Sequence, residues 1–266
     1  MPKTILITGS TDGIGLETAK LLVSAGHHVL LHGRNPAKLA AVQAALEALP
    51  GAGAIESYVA DLSRMAEVER LAQEVSEAHP RLDVLINNAG IFKVADATTP
   101  EGFDVRFAVN TIAPYLLTTK LLPLMSPDGR VVNLSSAAQA PVDLKALQGQ
   151  RKLPAMDAYA QSKLALTMWS RHMAEELKDK GPVIIAINPG SMLGSKMVKE
   201  GFGVAGGDLA IGASILVRAA LDAEFAPASG RYFDNDNDRF ASPHPDGLDD
   251  GKCAEVVRVI ESLIKA

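Results

Sequence analysis

Strand-like and helix-like segments alternate along this chain, and that alternation leaves few folds open. Six short runs are nearly continuously apolar: Thr4–Thr8, His28–His32, Ile55–Val59, Val84–Asn87, Arg130–Leu134 and Val183–Asn188. A strand with one wet face alternates apolar and polar residues, whereas a strand covered on both faces does not. Between the runs lie helical stripes: Ile14, Thr18, Leu21, Leu22 and Ala25, then Leu39, Val42, Leu46 and Leu49, then Met65, Val68, Leu71, Ala72 and Val75. Pro36 suits a helix start, Gly26 a helix stop and Ser63 an N-cap. The pattern predicts a single α/β domain over residues 1–266. It is a doubly wound Rossmann-type fold, with a mainly parallel sheet and helices on both faces.

Two stretches break the rhythm. Residues 140–155 are polar and irregular, carry Pro141 and Pro154, and read as an insertion. Asp234–Asp250 is rich in Asp, Asn, Pro and Gly and reads as irregular. A last helix is expected over Cys253–Ile264, with Val256, Ile260, Leu263 and Ile264 on one side. The hydrophobic share, 47%, supports a large core, and the net charge of -5 argues against a nucleic-acid surface. Cys253 is the single cysteine and has no internal partner, which fits a reducing, cytoplasmic setting. No apolar run reaches the roughly 18 residues of a membrane span, and the N-terminus shows no signal-peptide pattern. The glycosylation triplet Asn133-Leu134-Ser135 falls in an expected buried strand and is discounted. Asp234, Asp236 and Asp238 alternate as in a calcium loop, but Arg239 and Pro245 occupy the later key places. The histidines His27, His28, His32, His79, His172 and His244 show no metal-ligand spacing, so no metal site is expected.

The sharpest local signal follows the first strand. Thr8-Gly9-Ser10-Thr11-Asp12-Gly13-Ile14-Gly15 joins that strand to the first helix. Glycines permit a tight turn and a close approach, and the helix start offers free N–H groups to an anion. Strand, turn and helix in this order point to a dinucleotide pyrophosphate. The second strand ends Leu31-His32-Gly33-Arg34-Asn35 without the carboxylate that would accept from both ribose hydroxyls. Arg34 can fork onto a 2′-phosphate instead, which favours NADP over NAD. Lys38 could assist it.

The spacing Gly-x-x-x-Gly-x-Gly resembles the short-chain dehydrogenase/reductase family, and further motifs follow in that family's order. They are Asn87-Asn88-Ala89-Gly90, Asn110, Ser135-Ser136, Tyr159-Ala160-Gln161-Ser162-Lys163 and Asn188-Pro189-Gly190, over roughly residues 3–200. The resemblance implies a catalytic set of Asn110, Ser136, Tyr159 and Lys163. It implies cofactor contacts from Gly9, Ser10, Thr11, Asp12, Gly13, Ile14, Gly15, Arg34, Asp61, Leu62, Asn88, Ala89, Gly90, Tyr159, Lys163, Pro189 and Gly190. Asp61 is the residue expected at the adenine amino group. Tyr159 and Lys163 lie one helical turn apart. A phenol near its free pKa of about 10 is a poor base, so the Lys163 cation is expected to lower it. Lys163 is also expected at the nicotinamide ribose. Ser136 would orient the substrate oxygen, with Ser135 as its neighbouring alternative. Asn110 would hold a water between Lys163 and solvent.

The long segment before Tyr159 resembles the retinol-dehydrogenase-like and protochlorophyllide-reductase-like branch, and should lie beside the substrate entrance. A mobile substrate loop is expected at 191–205, apolar through Met192, Leu193, Met197, Val198, Phe202 and Val204, with Gly194, Gly201 and Gly203 for motion. The substrate implied is a small carbonyl compound or alcohol with an apolar body. Retinoids and steroids enter by branch resemblance alone. The family's usual homodimer or homotetramer is expected through the helices bearing Asn110 and Tyr159, with Trp169 helping to bury the interface. A non-catalytic NADP-binding sensor or scaffold is the competing reading. A sugar-nucleotide epimerase or dehydratase would need another glycine spacing and a larger C-terminal domain.

Overall fold

The six apolar runs form strands, and their side chains divide between two cores. In the chain's structure, a computed structural model describing residues 1–265 without the side chains of Asp179 and Phe202, the elements begin β1 (Thr4–Ile7), α1 (Gly13–Ser24), β2 (His28–Gly33) and α2 (Pro36–Glu47). They continue β3 (Ile55–Val59), α3 (Met65–Ala78), β4 (Val84–Asn87), the short α4 (Val105–Phe107) and α5 (Ala113–Leu121). A π-helical turn, Ala108–Ile112, joins α4 to α5. Then come β5 (Arg130–Leu134), α6 (Leu144–Leu147), α7 (Ala155–Leu177), β6 (Val183–Asn188), α8 (Lys196–Phe202) and α9 (Leu209–Leu221). The chain closes with β7 (Tyr232–Asp234), β8 (Arg239–Ala241) and α10 (Asp250–Ile264).

The strand order is β3-β2-β1-β4-β5-β6-β7-β8, and neighbouring strands are parallel except β7 and β8. Ile5, Ile7, Val29, Leu31 and Ile86 pack with α1, α2 and α9. Leu6, Leu30, Leu85, Val131 and Ile184 face the opposite way, toward α3, α5, α7 and α10. That division is the period of two of a strand buried on both faces. The order reverses between β1 and β4, which opens a crevice beyond the strands' carboxyl ends.

Local signals set most boundaries. Gly26, at φ +78°, follows the end of α1, and Asn35 caps α2 ahead of Pro36. Ser63 does not cap α3. The cap position belongs to Arg64, which makes no side-chain bond there, while the Ser63 hydroxyl donates to Asp61 at 2.8 Å. The stretch Asp234–Asp250 is not wholly irregular, since it contains β8, which returns antiparallel to β7. Strands this short leave too few alternations for a period to show. The insertion at 140–155 is folded as well. Asp143 caps α6, and Ala146 and Leu147 are fully buried in the core beside α10.

Trp169 is not at a surface. It is fully buried and packs edge-on against Tyr115. The chain's own α10 covers this part of α7 and α5: Val256 and Ile260 join that core, and the Tyr115 hydroxyl donates to Glu261 at 3.1 Å. The Trp169 side chain expected at an interface between copies is thus covered from within. Among the described residues, no helix is long and apolar enough to cross a membrane. Asn133, from the discounted glycosylation triplet, is buried between Asn87 and Ser170.

Candidate active site

The glycine turn is shaped by close approaches. Gly9 and Gly13 lie at φ +66° and +55°, where a side chain would be strained. A Cβ on Gly15 would lie 2.3 Å from Asn88 Nδ2, and one on Gly9 would lie 3.0 Å from the Ala89 Cα. Asn88 uses that space to donate to the carbonyls of Thr8 and Gly9 at 2.9 and 3.0 Å, tying the end of β4 to the turn after β1. Asp12 caps α1 by accepting from the Gly13 N–H at 2.8 Å. Lys38 reaches Asp12 at 2.6 Å, and that contact is the first cause holding its carboxyl below the ordinary range. Lys38 is therefore paired within the turn. The Arg34 side chain is exposed and has no ion pair among the described residues.

Two residues of this region serve the fold. Ser10 is fully buried, and its hydroxyl accepts from the His32 N–H at 2.9 Å. Its own N–H donates to the His32 carbonyl, so its polar groups face β2 and not the crevice. His32, which sequence reasoning assigned no role, accepts from the Gly9 N–H through Nδ1 at 3.1 Å and donates from Nε2 to the Ala60 carbonyl at 3.1 Å. Burial pushes its imidazole down to about 4, so the ring is neutral and the tautomer is set by its two partners. The only sequence signal was a histidine at the last apolar position before Gly33. Asp61 accepts from the N–H and hydroxyl of Ser63 through one oxygen, which makes it a turn-forming carboxylate. Leu62 beside it is buried.

Beyond β4 and β5 the structure brings together the remaining expected residues. Tyr159 and Lys163 share a face of α7, with the ammonium 5.8 Å from the phenol ring centre. Lys163 is buried and donates to the Leu134 carbonyl at 2.7 Å. The Ser136 hydroxyl lies close enough to the Tyr159 phenol to favour its ionised form. Ser135 points away: it is buried and bonds the Lys163 carbonyl and the Thr167 hydroxyl, at 3.2 and 2.7 Å. Successive residues leaving a strand face opposite sides, which separates the two serines. Gly90 lies beside the lysine, since a Cβ there would be 3.4 Å from Lys163 Nζ and 3.5 Å from Asn110 Oδ1.

Asn110 sits in the π-helical turn, a distortion often found at functional sites. Its amide accepts from the Ile91 N–H at 2.8 Å and donates to the Ile91 carbonyl and the Ser162 hydroxyl, each at 3.0 Å. The side chain thus holds the segment after Gly90 against α7. The expected electrostatics need correction. Burial raises the Tyr159 pKa, and the nearby Ser136 hydroxyl only partly opposes it. Burial also lowers Lys163, to about 8. Desolvation dominates both groups. The arrangement holds a neutral phenol, a proton donor, beside a hydroxyl and an ammonium.

The loop after β6 folds over this centre. Asn188 donates to Asp234 and Asp236 at 2.9 and 2.8 Å, the Ser191 N–H donates to Asp236 at 2.7 Å, and Asn235 donates to the Pro189 carbonyl at 2.9 Å. The alternating aspartates thus fasten Pro189 and Gly190 to the β7–β8 turn. Farther along, Ser195 lies over Gly13, Met197 near Gly90 and Gly201 against the Phe92 ring. Phe92 packs at a tilt against Tyr159, with ring centres 5.2 Å apart. Met192 and Val204 are exposed and Leu193 is buried. The Phe202 side chain lies outside the described residues.

Comparison with known proteins agrees with this geometry. Human retinol dehydrogenase 13 is 30% identical over 260 residues, covering 91% of this chain and 78% of that protein. An uncharacterized protein from Mycobacterium paratuberculosis superposes with a TM-score of 0.83 at 28% identity, covering 99% of this chain and 94% of the other. The Pseudomonas aeruginosa RhlG/NADP active-site complex gives 0.71 at 26% identity, covering 87% and 94%. The family model described as short chain dehydrogenase matches residues 3–202. This chain is a member of the short-chain dehydrogenase/reductase family of oxidoreductases.

Proposed function

We propose that the chain is an NADP-dependent oxidoreductase that interconverts a carbonyl compound with an apolar body and its alcohol, with Tyr159 as general acid and base. The contact of Tyr159 with Ser136 beside the buried Lys163 carries this reading. When bound, the nicotinamide donates or takes up hydride. Ser136 orients the substrate oxygen, and the Tyr159 phenol gives its proton to that oxygen as the alcohol forms. Burial keeps the phenol protonated until then, and the Lys163 charge stabilises the phenolate left behind. In the reverse direction the phenolate takes the proton back. Ser135 has no part in this, because its hydroxyl is committed to the Lys163 carbonyl and Thr167.

The residues of the crevice suit a dinucleotide. Gly9, Thr11, Asp12, Gly13, Ile14 and Gly15 would lie along its phosphates, with the start of α1 facing them. Ser10 supports that turn from behind. Asp61 and Leu62 would stand at the adenine, and Asn88, Ala89 and Gly90 along the nicotinamide half. Lys163 would bond the ribose hydroxyls, while Pro189 and Gly190 close the site. Gly90 leaves open the space beside Lys163 that a Cβ would fill. Arg34, exposed and free of an ion pair among the described residues, suits a 2′-phosphate. The NADP complex of the structurally similar RhlG supports that choice. Retinol dehydrogenase 13 carries an apolar alcohol in its name, which supports the substrate class.

The test is a carbonyl and alcohol screen followed by nicotinamide absorbance, with Tyr159→Phe as the key variant. Turnover is expected to disappear in that variant while NADPH still binds, and kcat/KM is expected to favour NADPH over NADH by roughly tenfold or more, the size of one charge-assisted bond. Retained turnover would remove Tyr159 from the chemistry, and a preference for NADH would remove Arg34 from the cofactor choice.

A further inference from the structure

At the opposite edge of the sheet, far from Tyr159, three metal-ligating side chains converge. His28 is the first residue of β2, Glu56 lies near the start of β3, and His79 directly follows α3. Their ligand atoms all lie within 4.8 Å of one another. His28 Nε2 is 3.0 Å from one Glu56 oxygen, and His79 Nε2 is 3.3 Å from the other. No spacing along the sequence announces this group, because each residue comes from a different element. The parallel pairing of β2 with β3 creates it, with Glu56 opposite Leu30, two residues along from His28.

Two details distinguish this cluster from an ordinary set of ion pairs. His28 Nε2 is buried and has no hydrogen-bond partner among the described residues. It is within hydrogen-bond distance of Glu56 but outside hydrogen-bond geometry, so a proton on that nitrogen is not aimed at the carboxylate. In addition, the Tyr58 hydroxyl donates to Glu56 at 3.1 Å and lies 3.0 Å from His79 Nε2. A neutral phenol bonded to a ligating carboxylate is the kind of outer contact that orients metal ligands. The histidine–carboxylate distances of 3.0 and 3.3 Å also fit. Zinc–ligand bonds of about 2.0–2.1 Å in tetrahedral geometry place the ligand atoms about 3.3 Å apart. Glu56 is partly exposed, which leaves a route from solvent and room for a fourth, water ligand.

We propose that His28, Glu56 and His79 form a binding site for a zinc-class divalent cation that ties β2, β3 and α3 together away from the reacting centre. Two imidazoles and one carboxylate select such an ion over magnesium or calcium, which prefer all-oxygen shells. The ion would add a staple between three elements that already share the sheet pairing and the apolar core around Leu30, Tyr58 and Val75.

The experiment uses the full chain without a histidine tag, treated with chelator and titrated with zinc chloride by calorimetry. Saturable binding of one equivalent is expected, and magnesium chloride should give none. At free zinc a hundredfold above Kd, the thermal midpoint should rise by roughly 5–10 °C. His28→Gln, His79→Gln and Glu56→Gln should each weaken binding tenfold or more, with metal-free melting as the check on folding. If a variant fails to fold, cobalt(II) bound to the unaltered chain decides. Strong visible bands of a four-coordinate site support the proposal, and the weak spectrum of the hydrated ion overturns it. Absence of saturable zinc binding, or binding unchanged in all three variants, likewise overturns it. Turnover is not the readout, so the outcome is independent of the oxidoreductase reading.

Discussion

Two segments flank Tyr159, and different forces hold them. Residues 140–155 are fixed from below: Ala146 and Leu147 are buried in the core, Asp143 caps α6, and the Asp143 N–H donates to Gln161 on α7 at 2.9 Å. Residues 191–205 are fixed at the base. A bridge pairs Leu193 with Gly207, and the β7–β8 turn grips Asn188 and Ser191 through polar bonds, while Met192 and Val204 stay exposed. Apolar burial cannot be undone locally without opening a cavity, whereas exposed hydrogen bonds break and reform at small cost. We propose that the first segment serves as a wall of the substrate entrance and the second as its lid.

The largest expected effect separates them by stability. Leu147→Ala should destabilise the chain by about 2–5 kcal/mol, as a fully buried leucine does, visible as a lower denaturation midpoint. A loss under 1 kcal/mol, by order of magnitude that of a surface change, would show that the insertion is not part of the core. Next in size is Asp236→Asn, which weakens the grip on the lid. Burial pushes the Asp236 carboxyl up, but the hydrogen bonds from the Ser191 N–H and hydroxyl and from Asn188 outweigh it and bring it below the ordinary range. Its contribution is therefore present above the unfolded carboxylate pKa and is lost as pH falls through the lower folded value. For so exposed a group, stability should change by roughly 1 kcal/mol or less, while amide exchange over 191–205 accelerates and KM rises several-fold. Unchanged exchange and KM would mean that the lid is held elsewhere. The smallest effect is expected from Gly201→Ala. Its Cβ would lie 2.7 Å from the Phe92 ring, so α8 must shift. KM for an apolar substrate should change a few-fold with the melting midpoint unmoved. An unchanged KM for every substrate would place α8 outside the substrate path.

The two segments were also unequally legible in the sequence. For 191–205, glycines and apolar residues pointed to a mobile substrate loop, but its clamp was hidden because Asp234 and Asp236 meet Asn188 only through the β6–β7 pairing. For 140–155, the prolines and polar residues concealed a capped turn of helix. Asp143 ahead of Leu144, Ala146 and Leu147 was the available signal, too short for a period to stand out. Similarly, Cys253 read as an ordinary thiol, and the structure buries it and pushes its pKa up to about 11.

By itself the sequence determined the six parallel strands, the glycine turn and the pairing of Tyr159 with Lys163. Each depends on local rules: continuous apolar runs, positive φ at glycine, and the one-turn reach of residues four apart. Only the tertiary structure decided that Ser136 faces Tyr159 while Ser135 faces Thr167, and that His32 braces the glycine turn as a neutral ring. It also decided that α10 covers Trp169, and that His28, Glu56 and His79 meet. Those outcomes depend on strand register and burial between distant segments, which set each side chain's direction and its access to water.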